Sequence, residues 1–128
     1  MRLHHVQVAC PCGGEDGARR FYGDGLGMTE VPKPAELAAR GGCWFRAYGD
    51  RGDVAAEVHV GVEEPFAPAR KAHPAFLFDD VAELERVGER VAALGFEVSW
   101  AERHTFEGYQ RFHTRDAHGN RVEVMSPA

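Results

Sequence analysis

The sequence predicts an α+β fold made of two repeated βαβββ modules, and three observations predict it. The hydrophobic patterns run strand, helix, strand, strand, strand, and then the same order runs again. Landmarks recur at a nearly fixed offset. Leu26-Gly27 returns as Leu94-Gly95 and His5 as His73, each 68 positions on, while Asp50 and Glu57-Val58 return as Asp116 and Glu123-Val124, each 66 positions on. Recurrence of this kind on equivalent elements marks an internal duplication. Finally, the strands alternate valine with polar residues, so each has one face for a core and one for something else. A chain of 128 residues fits one domain, 1–128, with modules spanning about 1–62 and 73–126.

Each element has a local reason. Val6, Val8 and Cys10 alternate with Gln7 and Ala9, which makes a strand that Pro11 and Gly13-Gly14 break. Residues 15–22 form the first helix, with Ala18, Phe21 and Tyr22 inward and Arg19 and Arg20 outward. Short strands follow over Met28–Val31, Cys43–Tyr48 and Ala55–Val62, with 35–40 as a helical turn or loop. A connector carrying Pro65 and Pro68 leads to the strand Pro74–Asp79. The second helix, 80–94, starts at a capping box, Asp80 with Glu83. Val81, Leu84, Val87, Val91 and Leu94 keep helical spacing until Gly95. Strands over 96–100, 109–115 and 121–125 complete the second module, the last two joined by the turn Asp116-Ala117-His118-Gly119-Asn120.

Composition narrows the function classes. A net charge of −5 disfavours nucleic acid and anionic membranes as partners, since both need a basic face. No apolar run approaches 18 residues and no signal-peptide pattern is visible, so a cytoplasmic location is the expectation. Three cysteines, Cys10, Cys12 and Cys43, make an odd set that suits free thiols better than a disulfide framework.

The polar faces carry the chemistry. His5 and either Glu57 or His59 occupy the first module's strands, and His73 and Glu123 the second's. Imidazole and carboxylate together suit a divalent first-row metal: Zn, Ni, Co, Mn or Fe(II). His104, His113 and His118 are expected in or near loops, as surface histidines. Glu57 and His59 sit on one strand face, about 6–7 Å apart along it, so one of the two is expected to reach the metal.

The stretches His4-His5-Val6, Phe21-Tyr22 with Leu26-Gly27, His73, and Asp116 through Glu123 resemble the vicinal oxygen chelate superfamily. This superfamily includes glyoxalase I, fosfomycin- and bleomycin-resistance proteins, methylmalonyl-CoA epimerase and extradiol dioxygenases. The resemblance covers nearly the whole chain and implies a curved, U-shaped mixed sheet with helices outside. It places His5, His73 and Glu123 on metal-ligand positions, with Glu57 or His59 as the fourth. It implies a metal-dependent enzyme, a lyase, isomerase or dioxygenase, acting on vicinal oxygens of a small oxygen-rich substrate, with Glu123 and Glu57 as the proton-moving carboxylates. It also implies a homodimer. The alternative is a metal-free protein that binds or sequesters a toxic compound, as the bleomycin-resistance branch does.

Overall fold

The computed structural model describes all 128 residues. They divide into two compact units, Met1–Pro68 and Ala69–Ala128. The first unit runs β1 (Val6–Cys10), α1 (Glu15–Ala18), a π-helical segment (Arg19–Gly25), β2 (Thr29–Val31), α2 (Ala35–Ala38), β3 (Cys43–Tyr48) and β4 (Val54–Val62). The second runs β5 (Ala75–Leu77), α3 (Val81–Ala93), β6 (Val98–Ser99), β7 (Tyr109–Arg115) and β8 (Arg121–Pro127). Each unit holds a four-stranded mixed sheet, in the orders β1-β4-β3-β2 and β5-β8-β7-β6. In both, the first strand lies parallel to the last and the others pair antiparallel. The repeat read in the sequence is therefore a repeat of topology.

In the first unit, Val8, Cys10, Cys43, Phe45, Val58 and Val60 fill one sheet face with Phe21, Tyr22 and Leu26 from the helical segment. That segment departs from the expected helix 15–22. Only 15–18 is α-helical, and 19–25 widens into π geometry, with Leu26 N–H donating to Phe21 C=O at 3.0 Å. Gly23 and Gly25 favour an α-helix little, and the wider turn lets the adjacent Phe21 and Tyr22 both be fully buried. Glu15 ties the start of α1 to the sheet, accepting the Gly42 N–H at 2.8 Å. The left-handed φ of +81° at Gly42, and the Val60 carbonyl against which a Cβ would land, leave no room for a side chain.

In the second unit α3 lays Leu84, Val87 and Val91 over Phe112, Val122 and Val124. Gly88 brings the helix backbone against Trp100, where an added Cβ would lie 2.8 Å from the indole edge. The capping box forms: Asp80 accepts the Glu83 N–H at 2.7 Å, while the Glu83 carboxylate reaches Asp79 N–H at 3.3 Å. The strand expected over 96–100 contracts to Val98–Ser99, because Trp100 turns into the loop that Arg103 and Arg111 organise.

The Asp-x-x-Gly-Asn turn has a structural task. Asp116 accepts the N–H groups of His118 and Asn120 and the Asn120 side-chain amide, all at 2.9–3.0 Å. Asn120 in turn accepts Ala69 N–H at 2.9 Å, and Arg121 N–H donates to Ala69 C=O at 2.9 Å. The turn so fastens the segment leading to His73 against β8. A bond from Glu123 N–H to Pro74 C=O, 3.0 Å, completes the alignment.

Candidate metal centre

Alternation decides what each sheet shows on its polar face. On β8, Val122 and Val124 face the core and Glu123 faces away; on β7, Phe112 and Thr114 face the core while Arg111 and His113 share the side of Glu123. Antiparallel register sets His113 directly opposite Glu123, and parallel register sets Ala75 opposite it on β5. The chain entering β5 supplies His73, whose Nε2 lies 3.0 Å from Glu123 Oε2. His73 Nδ1 lies 2.8 Å from Lys71 C=O, which fixes the ring with Nε2 turned to Glu123.

His73, His113 and Glu123 place their donor atoms within 4.8 Å of one another, and no other group of three or more His, Cys, Asp or Glu does so. His113 corrects the sequence expectation. It is no surface histidine of a loop but sits in mid-strand on β7, with its side chain 15% exposed. Its Nε2 is buried without a hydrogen-bond partner, 3.7 Å from Glu123 Oε2. A buried unsatisfied imidazole nitrogen aimed at a carboxylate and a second imidazole is what a cation between them would explain. The donor set therefore fits a divalent metal. Burial holds the His113 ring below its ordinary titration range, with Arg121 and Arg111 pushing the same way and Glu123 opposing, so the ring keeps its lone pair at neutral pH.

Arg111 was also missed at the sequence level. It grips Glu123 Oε1 at 2.9 Å and Glu102 at 3.0 Å, and donates to Thr105 Oγ1 at 2.8 Å. Burial pushes the Glu123 carboxyl up, but the bonds from Arg111 and His73 outweigh it and hold the group below the usual carboxylate range. Glu123 is thus ionised, with Oε1 anchored and Oε2 directed at the two histidines. The alternation of β7 around Phe112 was the signal that could have found both Arg111 and His113.

The first unit gathers the other expected residues differently. Glu57 accepts from Arg46 Nε at 2.7 Å through Oε2, and its Oε1 lies 2.7 Å from His59 Nε2. The His59 bond first, then Arg46, holds the Glu57 carboxyl below its usual range. His59 is sandwiched: Trp44 stacks on one side with ring centres 3.7 Å apart, and His5 on the other at 4.0 Å. His5 lies just ahead of β1 and is exposed, its Nδ1 3.0 Å from His4 Nδ1. So Glu57 and His59 are bonded to each other rather than alternatives across a gap, and His5, Glu57 and His59 do not converge as a three-donor group.

The comparisons with known proteins agree with this architecture. The family model described as the Glyoxalase/Bleomycin resistance protein/Dioxygenase superfamily matches residues 2–124. A glyoxalase family protein from Bacillus anthracis is 41% identical, superposes with a TM-score of 0.84, and is matched over all of this chain and 96% of its own. The fosfomycin resistance protein FosX from Listeria monocytogenes shares the fold at 16% identity, with a TM-score of 0.73 over all of this chain and 94% of its own. A variant of FosX complexed with Mn(II) and 1S,2S-dihydroxypropylphosphonic acid superposes with a TM-score of 0.75, at 16% identity over 99% of this chain and 92% of its own. No functionally curated protein matches the sequence. The family match and the fold place the chain among vicinal oxygen chelate proteins. The chain belongs to the Glyoxalase/Bleomycin resistance protein/Dioxygenase superfamily.

Proposed function

We propose that this protein is a metal-dependent enzyme acting on a small, oxygen-rich substrate through two vicinal oxygens, as a lyase, isomerase or dioxygenase. The observation that carries the reading is the orphaned, buried Nε2 of His113 beside Glu123 Oε2 and His73. His73, His113 and Glu123 would hold the metal, a two-imidazole, one-carboxylate set that leaves positions for substrate. Bound there, a divalent cation would supply Lewis-acid polarisation of the substrate oxygens.

In the first unit Glu57 and His59 are engaged with each other. There His59, backed by Trp44, stacks on the His5 ring. Glu57 and Glu123, both kept ionised, are the carboxylates able to accept a proton from substrate. We further propose that the two units act as one domain and that the chain works as a homodimer. Sedimentation at micromolar concentration should show a dimer.

The test is metal titration of wild type, His113→Gln and Glu123→Gln, with bound metal measured by elemental analysis. Mn(II), present in the FosX complex, is the first ion to try. Wild type should bind one equivalent, and each variant should bind at least about tenfold more weakly, since the loss of even an outer-shell partner costs about 10–100-fold. Undiminished affinity in both variants would overturn the reading, and a wild type that takes up no metal would favour the sequestering alternative.

A further inference from the structure

Next to His113 the second unit has an open cleft of about 230 Å³, lined by Glu97, Ser99, Glu102, His113, Arg115 and Arg121 among others. Three features of its wall point to a ligand. Arg115 and Arg121 stand directly opposite each other on β7 and β8. Like charges in that cross-strand position repel and are destabilising. Arg115 spends a donor on Gly119 C=O at 3.1 Å, but the Arg121 guanidinium has no hydrogen-bond or ion-pair partner, although it is half-buried. Of the two carboxylates lining the cleft, Glu102 is turned to Arg111 at 3.0 Å, a guanidinium it shares with Glu123. Glu97 is exposed and pairs with neither arginine. Neither carboxylate of the cleft is bonded to the arginine pair. Ser99 lies opposite His113 in register, so its hydroxyl is on the same sheet face as the arginines.

We propose that Arg121, flanked by Arg115, is an anion subsite that takes the carboxylate or phosphonate group of a small substrate. The proposal rests on the metal centre described above, because the same cleft opens onto His113 and so would deliver the rest of that substrate to Glu123. The volume suits a few heavy atoms; pockets for drug-sized ligands run from about 300 Å³ upward. A guanidinium pair matches the paired oxygens of either anion and relieves its own repulsion on binding. The substrate class is then a short organic acid bearing two adjacent oxygens, not a neutral sugar or alcohol.

The experiment is calorimetric titration of the full chain, treated with chelator so that no anion can bind through metal. Methylphosphonate and acetate are the probes for the two anion types, and methanol is the neutral control. Wild type should bind methylphosphonate, acetate or both at millimolar concentration or below, and should ignore methanol. Arg121→Gln should weaken that binding at least about tenfold, the scale of one charge-assisted hydrogen bond, and Arg121→Lys should restore part of it. Arg121→Gln should melt no lower than wild type, since its guanidinium has no partner to lose. Absence of anion binding in wild type, or equal affinity in Arg121→Gln, would overturn the proposal. Glu123→Gln separates it from the metal reading: anion binding that survives while metal is lost supports both. Retained metal affinity in Arg121→Gln with no anion effect sinks the subsite alone.

Discussion

Glu123 divides its two carboxylate oxygens between different partners. Its Oε1 is committed to Arg111 and its Oε2 faces His73 and His113. Because Arg111 holds Glu123, Glu123→Gln should weaken the metal-free protein as well as its metal affinity. The expected loss is about 1–3 kcal/mol, the range for a hydrogen bond to a charged group left incomplete in a buried place. The pH sign follows from the depressed folded value. The contribution is present above the ordinary value of 4.5 and is lost as pH falls through the lower folded value. Metal-free melting of wild type and Glu123→Gln should therefore differ near neutrality and converge on acidification below that window. Equal melting temperatures at neutral pH would show that the Arg111 pair contributes nothing.

At the scale of elements, the longer strands and α3 were legible because their core faces are plain repeats of valines, leucines or phenylalanines. What was not legible was set by register and by local backbone geometry. The alternation of β7 puts His113 on the polar face, but the pairing of His113 with Glu123 depends on how the Asp116–Asn120 turn closes. That closure lies in the hydrogen bonds of Asp116 and Asn120. The π-helical widening at Arg19–Gly25 likewise follows from the joint burial of Phe21 and Tyr22, which hydrophobic spacing does not distinguish from an ordinary helix. Of the expected site, His73 and Glu123 were placed together, while His5, Glu57 and His59 form a stacked and bonded group of their own. Gly42 carries the sharpest element-level prediction. A side chain there would need a left-handed backbone and would run into the Val60 carbonyl, between β3 and the N-terminus of α1. Gly42→Ala should cost more than about 2 kcal/mol, read as a lowered urea midpoint. Gly52→Ala, with a similar φ of +78° but nothing within 4 Å of the added Cβ, should cost only about 1 kcal/mol. Equal costs at the two positions would show that the close approach to Val60 is unimportant.

At the scale of the whole molecule, the two units share a topology but arrange their polar residues differently. The two units carry equivalent carboxylates, Glu57 and Glu123, each held by an arginine on the adjacent strand and each bonded to a histidine. Only the second unit adds a further imidazole with no partner, His113, and so only there is the donor set incomplete without a cation. This asymmetry predicts where metal should be felt. Hydrogen exchange of the full chain with and without Mn(II) should show new protection over β5, β7 and β8 and the turn at Asp116–Asn120, because fixing three side chains damps the local openings that let those amides exchange. Protection that appears around Glu57 and His59 but not around His113 would move the centre to the first unit and overturn the assignment made here.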